Sequence, residues 1–438
     1  MGNKLFHENP LFTLKWMSRY AAYTRSARWS KSKLHAFQDN KLRKIIQYAG
    51  KHVPYYRELF AQIGLDTKSF RGRDDLHKIP LLDKETLRTR PEEFISDEAG
   101  KLNCRTEKTS GSTGTPLEIL LDEESRINKM AASWRAHVWA GDSFFVNKFM
   151  IKGLSETFKQ DYGVVRDSFF RKCVFLNSSR MTKETCLAAA ELLRRYQPVF
   201  YEGYSRSFID FLQFIKDKKH SIISPRGIFC YGETLSQQTR SFVENGFASR
   251  AYDFYANAEN SAMICQLPSG RKLFTEDYFY PEVLDGNGYP SETNYGELVS
   301  TSFYNYAIPL IRYRTRDNVR LADKQDCSFR EVLEIEGRMD DFIEMPDGRK
   351  IYFAEGALGY AKGIIMAQYI QEKPGELVVS LLVDDLFDPA SYLEIEKGLR
   401  KRIGDSLKVH FKIVDELEKK PSGKVPFIIN RIGVEHLD

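Results

Sequence analysis

The run Thr109-Ser110-Gly111-Ser112-Thr113-Gly114-Thr115-Pro116 constrains this chain more than any other feature. It holds no bulky side chain and passes directly into the largely apolar stretch 117–121. Small residues let backbone N–H groups come close to an anion, and hydroxyl side chains add donors. A solvated linker seldom abuts a strand, so the run reads as a phosphate-binding loop inside an α/β domain. No Lys-Ser or Lys-Thr follows the glycines, which excludes a Walker-type loop.

The rest of the chain supplies the layers such a loop needs. Leu34, Phe37, Leu42, Ile45, Ile46 and Tyr48 recur at helical spacing, predicting helix over 32–66 with a fresh start at Pro54. Residues 79–91 read as a short extended piece and then a helix capped by Asp83. A helix over 184–197 and strands over 199–204, 227–233 and 250–256 predict α/β layering across 140–260. Beyond 270 the pattern turns β-rich, with Gly and Asn at the turns. At 338 it restarts: a hairpin turning at Pro346-Asp347-Gly348, a helix over 354–363, strands over 366–372 and 376–383, a helix over 389–402 and a strand over 407–413. The 438 residues exceed what one core supports. The expected fold is α/β: a large domain, 1–337, of α/β layers plus a β-rich subdomain, then a small mobile α+β domain, 338–438.

Composition narrows the setting. No run of eighteen apolar residues predicts a transmembrane helix, and the first residues lack the apolar stretch of a secretory signal. The six cysteines form no C-x-x-C pair, so reduced thiols and a cytoplasmic location are expected. Residues 1–51 carry eleven Lys or Arg against only Glu8 and Asp39, interleaved with aromatics such as Trp16, Tyr23 and Trp29. That stretch reads either as a basic helical arm packed by its aromatics or as a peripheral contact with an anionic membrane face. No nucleic-acid module is present, and no nucleic-acid partner is expected.

A second motif lies near the far end. In Glu418-Lys419-Lys420-Pro421-Ser422-Gly423-Lys424, Pro and Gly shape a loop that projects Lys424. Together with Thr109–Pro116, the segments CYGETLS (230–236), YANAEN (255–260), GELVSTSF, PLIRYRTRD and GRMDDFIEMPDGRKI follow in an order that resembles the adenylate-forming superfamily of acyl-CoA synthetases, luciferases and peptide synthetases. Within it, the wording from about 32 to 428 is similar to the phenylacetate–CoA ligase branch and its capsule-associated, CapK-like relatives.

The resemblance implies an ATP-dependent ligase that activates a small carboxylic acid as its acyl-adenylate, with Mg²⁺ and with release of pyrophosphate. An acceptor thiol or amine then takes the acyl group, with CoA among the candidates and capsular polysaccharide biosynthesis as a setting. It assigns Thr109, Ser110, Gly111, Ser112, Thr113 and Gly114 to the phosphates, Glu259 to Mg²⁺, and Asp317 to the ribose hydroxyls. Arg338 falls beside ribose and phosphate, and Gly232, Glu233, Tyr255 and Asn257 beside adenine. Tyr204 and Ser205 border the acid, Asp340 is the hinge, and Lys424 is the catalytic lysine. From the residues alone, Asp317 could instead pair with Arg314 or Arg316.

Three positions depart from the pattern. Ala258 stands where a threonine usually precedes the magnesium glutamate, Arg316 where glycine is commonest before the ribose aspartate, although arginine is usual in this branch, and Glu344 where a lysine often serves the second half-reaction. The last weakens the case for CoA. Cys265 and Cys327 fall where some relatives hold zinc, but Met263 and Phe329 occupy neighbouring places, and no zinc is expected. Two alternatives stay open: a non-catalytic nucleotide-binding scaffold of a polysaccharide assembly, and an acyl-protein synthetase.

Overall fold

The computed structural model describes residues 10–108, 117–143, 145–153, 160–166, 171–216, 224–233, 235–325, 327–338, 342–352, 363–419 and 425–432. The chain forms two compact units, the first taking in 6–143 and 252–335, the second 144–251 and 336–438.

In the first unit, helix Lys31–His52 starts at Ser30, whose hydroxyl accepts the Lys33 N–H at 3.4 Å. Val53 leaves helical geometry and Pro54 opens helix Pro54–Gln62, as the sequence predicts. Asp83 does take the N-cap position of helix Lys84–Thr89, but its side chain makes no capping hydrogen bond. Strands Arg105–Lys108 and Glu118–Leu121 pair antiparallel, so the chain enters and leaves 109–116 along one two-stranded ladder. A larger sheet runs in the order Phe279–Leu284, Tyr295–Ser302, Tyr313–Leu321, Glu331–Arg338, Lys272–Phe274, Met263–Gln266, Ala251–Ala256.

The described part of the basic arm is helix Pro10–Ser26, which packs on helix Glu123–Trp139. Lys15 pairs with Glu123, Arg19 Nη2 lies 2.8 Å from Glu124, and Trp16 meets Trp134 edge-on at 6.2 Å. Arg135, buried beneath Tyr23, is bidentate to Asp277 at 2.6 and 3.0 Å. The aromatics and charges of this arm therefore build a packing surface.

The second unit centres on parallel strands in the order Gly227–Tyr231, Phe200–Gly203, Lys148–Lys152, Lys172–Asn177, with Tyr162–Arg166 antiparallel at the edge. Helices Lys183–Tyr196, Ser205–Phe214 and Gln237–Phe247 cover it, around a core that includes Phe149, Tyr201, Phe208, Phe211 and Phe247. Gly203 has no substitute there, because a Cβ would stand 2.3 Å from the Ile151 carbonyl oxygen. The C-terminal segment adds a four-stranded sheet in the order Lys408–Ile413, Glu376–Val383, Ile364–Gln371, Ile428–Asn430. Helix Ser391–Ile403 buries Ile395, Leu399 and Ile403 against it. The Pro346-Asp347-Gly348 turn joins antiparallel strands Phe342–Glu344 and Lys350–Tyr352, with Gly348 at φ +81°. The helix expected over 354–363 lies, but for Gly363, outside the described residues. Among the described residues no helix is long and apolar enough to cross a membrane.

Candidate active site

Two acidic positions singled out in the sequence come together in the first unit. Glu259 follows strand Ala251–Ala256, and Asp317 lies on strand Tyr313–Leu321. Their supports cross over. Tyr255, from the strand that precedes Glu259, donates its hydroxyl to Asp317 Oδ2 at 2.6 Å. Tyr313, from the strand that carries Asp317, donates to Glu259 Oε1 at 3.0 Å. Burial and the Asp317 carboxylate both push the Tyr255 phenol well above its usual range, so it stays a donor at neutral pH.

Asp317 is presented by a bulge. Val299 pairs with Arg314 and Glu297 with Asn318, so the Asp317 strand holds extra residues between these pairs. Arg316, inside the bulge, takes φ +65°, the left-handed region where glycine costs least. Arg314 does not pair with Asp317: its guanidinium reaches Glu297 at 2.7 Å, and the Arg316 N–H donates to the same carboxylate at 3.2 Å. Thr315 turns inward, accepting the Asp317 N–H at 3.2 Å and donating to the Leu298 carbonyl at 2.7 Å.

Glu259 is only 7% exposed and accepts the Tyr313 hydroxyl on Oε1. A buried carboxylate is costly unless donors, water or a cation meet it. Mg²⁺ fits such a position, since it binds through one or two carboxylates together with phosphates and water. Two cations that the sequence reading did not pick out stand nearby. Lys84 Nζ lies 3.7 Å from Glu259 Oε1, and Lys129 lies on helix Glu123–Trp139. Burial lowers the Lys129 ammonium below the usual lysine value, against the pull of Glu107 and Glu259. Lys84 arrives through a backbone clip: Leu82 N–H donates to Arg312 O, and Arg314 N–H to Leu82 O, both at 2.9 Å. Asn257 is committed to the turn that follows: its Oδ1 accepts the Ser261 and Ala262 N–H groups at 2.9 and 3.0 Å.

In the second unit, Tyr204 ends the strand-to-helix turn after Gly203, and Ser205 opens helix Ser205–Phe214. Tyr204 packs edge-on to Tyr231 at 5.7 Å, and burial raises its phenol. Glu233 serves this helix rather than standing open. Its Oε2 accepts the Ser205 hydroxyl at 3.1 Å and the Arg206 N–H at 3.0 Å. Its Oε1 accepts the Val425 N–H at 3.0 Å. Gly232 precedes it at φ +78°.

Thr109, Ser110, Gly111, Ser112, Thr113, Gly114, Asp340 and Lys424 lie outside the described residues, as does the side chain of Arg338, whose backbone ends strand Glu331–Arg338. Cys265 sits 3.4 Å from the Thr275 hydroxyl, and the Cys327 thiol donates to the Phe329 carbonyl at 2.8 Å. Among the described residues no group of three or more His, Cys, Asp or Glu side chains is placed to hold a metal.

The chain is similar to known proteins over most of its length. The family model of the CapK C-terminal domain matches residues 344–431. Protein CapK of Staphylococcus aureus is 22% identical over 421 residues, covering 91% of this chain and 90% of its own. The phenylacetate–coenzyme A ligase of Escherichia coli K12 is 29% identical over 337 residues, with 72% and 73% coverage. Among solved structures, 2-hydroxyisobutyryl-CoA ligase in its postadenylation state superposes with a TM-score of 0.74 at 15% identity, over 93% of this chain and 91% of that one.

Proposed function

From the premise that this chain is an adenylate-forming ligase related to CapK and the phenylacetate–CoA ligases, we propose that it converts a small carboxylic acid to its acyl-adenylate and passes the acyl group to a thiol. A carboxylate oxygen attacks the α-phosphorus of ATP, and pyrophosphate leaves. The thiolate sulfur then attacks the acyl carbon, and AMP leaves. The reciprocal support of Glu259 and Asp317 by Tyr313 and Tyr255 carries this reading. It fixes two carboxylates of different duty before any substrate binds.

The residues take these roles. Asp317 accepts from the two ribose hydroxyls, for which a carboxylate suits two neighbouring donors. Glu259 holds Mg²⁺, which when bound offsets charge on the phosphates. Residues 109–114 cradle the β- and γ-phosphates, and Lys84 adds a cation close to Glu259. Gly232 and Tyr255 border adenine, with Arg338 beside ribose and phosphate. Glu233 and Asn257 contribute main chain there, because Glu233 holds helix Ser205–Phe214 and Val425 while Asn257 holds its turn. Tyr204 and Ser205 border the acid, and Lys424 neutralises charge at the α-phosphate as the acyl–oxygen–phosphorus bond forms. Residue 340 is the pivot that lets one C-terminal segment serve both steps.

CoA is the acceptor to test first, since the related ligases use it by name. Glu344 is where that choice is weakest; its backbone is held by Gln371 through bonds of 2.7 and 2.8 Å. A place in capsular polysaccharide assembly rests on the likeness to CapK. The test is pyrophosphate release from ATP with phenylacetate, benzoate, anthranilate and 2-hydroxyisobutyrate, with and without CoA. Release with at least one acid, lost in Lys424→Ala, is expected. No release above background with any acid, and no difference for Lys424→Ala, would overturn the proposal.

A further inference from the structure

A cavity of about 330 Å³ in the first unit shares no residue with the Glu259–Asp317 site. Helices Pro10–Ser26, Lys31–His52 and Glu123–Trp139 contribute to its lining, together with Trp29, Asp277, Tyr304 and Tyr306. That volume lies at the lower end of the range for small-molecule pockets. Much of the wall is aromatic. Trp29 and Phe37 meet edge-on at 5.2 Å. The Tyr23 hydroxyl donates to Asn128 Oδ1 at 3.1 Å, and the Tyr304 hydroxyl to the Asp277 carbonyl at 3.4 Å. The polar edges of both rings are thus committed to the protein, and ring surface is what they offer to a ligand.

The charges of the lining do not cancel. Glu124 gives Oε1 to Arg19 Nη2 and Oε2 to Asn128 Nδ2, both at 2.8 Å. Asp277 is bidentate to Arg135 and accepts the Ser26 hydroxyl. Lys41 differs. Its ammonium stands 4.0 Å from the ring centre of Tyr304 and 5.5 Å from that of Phe37, and among the described residues it has no ion pair and no hydrogen bond. With Asp277 offset by Arg135, two cations face one carboxylate, and the surplus is a single positive charge beside aromatic rings. Burial lowers the Lys41 ammonium to about 8; Arg19 and Lys44 push the same way and Glu124 pulls against them. An anion in the cavity would relieve that cost.

We propose that this cavity binds a small aromatic monocarboxylate, with its carboxylate on Lys41 and Arg19 and its ring against Trp29, Phe37 and Tyr304. One negative charge matches the surplus, whereas a phosphate dianion would face Glu124 and Asp277 uncompensated. The ammonium keeps its contact with the Tyr304 face and gains the hydrogen-bond acceptors that the protein does not give it. The ligand is held here and not activated, so the inference stands apart from the ligase reading.

Benzoate is the probe, titrated by calorimetry into the full chain without ATP. It should bind with a Kd below about 1 mM at pH 7. Cyclohexanecarboxylate keeps the charge and lacks the aromatic ring, and benzyl alcohol keeps the ring and lacks the charge; each should bind at least about tenfold more weakly. Burial pushes the Tyr23 and Tyr304 phenols up, so they stay neutral, while Lys41 loses its proton near 8. The benzoate Kd should therefore rise about tenfold from pH 7 to pH 9. Lys41→Met should weaken benzoate at least about tenfold and keep the denaturation midpoint, because no acidic partner is left behind. Lys41→Arg should still bind. No benzoate binding by the wild type would overturn the proposal. So would equal affinity for the three probes, or binding that Lys41→Met leaves unchanged, which would put benzoate elsewhere in the chain. Should Lys41→Met fail to fold, the three probes and the pH profile decide on the wild type alone. Pyrophosphate release tests the ligase reading separately and moves none of these outcomes.

Discussion

The carboxylates of the first unit and the contacts around segment 420–424 in the second are held by different chemistry. Glu259 and Asp317 receive neutral phenol donors from strands of the same sheet. Those bonds cost little entropy, because Tyr255, Tyr313 and Asp317 are held on strands and Glu259 in the turn that directly follows one. The second unit ties residues 419 and 425 with an ion pair and a carboxylate–amide bond between elements far apart in sequence. Such ties depend on the pose of a whole segment, and water competes for each group once it opens. The first arrangement suits a site that must be complete before substrate arrives.

The largest effect expected is for Lys424→Ala, which should lower pyrophosphate release about 10³-fold while ATP still binds, as removing a fixed transition-state charge does. If Lys424→Ala loses ATP binding and turnover in parallel, the lysine belongs with the ground-state contacts and the contrast fails. Asp317→Ala should cost less, about 10²-fold, and mostly in KM for ATP, since ribose hydrogen bonds form in ground and transition states alike. A fall in kcat at unchanged KM would move Asp317 out of the binding half.

How far these roles could be read beforehand differs by residue. Residues 109–114, Asp317 and Lys424 could be singled out because each lies in a short local pattern whose residue types suit one job; of these, only Asp317 falls among the described residues. The strand and helix order was legible for the same reason, down to the Pro346-Asp347-Gly348 hairpin. Tyr313, Lys84, Asp210 and Lys419 were given no role, although Tyr313, Lys84 and Lys419 lie inside segments read from the sequence. Their meaning comes from partners that only folding delivers: Glu259 for the first two, and each other for the last two. The left-handed backbone of Arg316 was not read from the sequence, because the bulge that demands it belongs to the pairing with strand Tyr295–Ser302.

Rigidity in the first unit can be probed through Asp122, which caps helix Glu123–Trp139 and accepts N–H groups from Ser125 at 2.7 Å, Tyr306 at 2.5 Å and Ala307 at 3.3 Å. Burial outweighs these bonds and pushes its carboxyl up to about 6 from 3.8. A carboxyl raised on folding favours the folded state most when protonated, below pH 3.8, and loses that contribution as pH rises through 6. Wild type should therefore gain about 2 kcal/mol on Asp122→Asn between pH 7 and pH 4, read from denaturation midpoints. Parallel curves for the two proteins would mean that Asp122 stays charged throughout. Next in size, Tyr255→Phe should raise KM for ATP about tenfold, the loss of one charge-assisted bond to Asp317. Tyr313→Phe should act on the Mg²⁺ requirement instead, through Glu259.

The smallest effect tests the strain itself. Arg316 holds φ +65° at the bulge that presents Asp317, and its N–H bond to Glu297 needs no side chain. Arg316→Gly should relieve the left-handed strain while loosening the unfolded chain and losing the contacts of the guanidinium, for a net change within about 1 kcal/mol of wild type in denaturation stability. If the first unit is preformed as its neutral, sheet-borne bonds imply, adenylation should be unchanged by this relief, because Thr315 and Tyr255 still fix Asp317. A variant that gains stability and loses adenylation would show that arginine is retained for the reaction. The strain at 316 would then be part of the site's function, carried by the bulge at a small cost in stability.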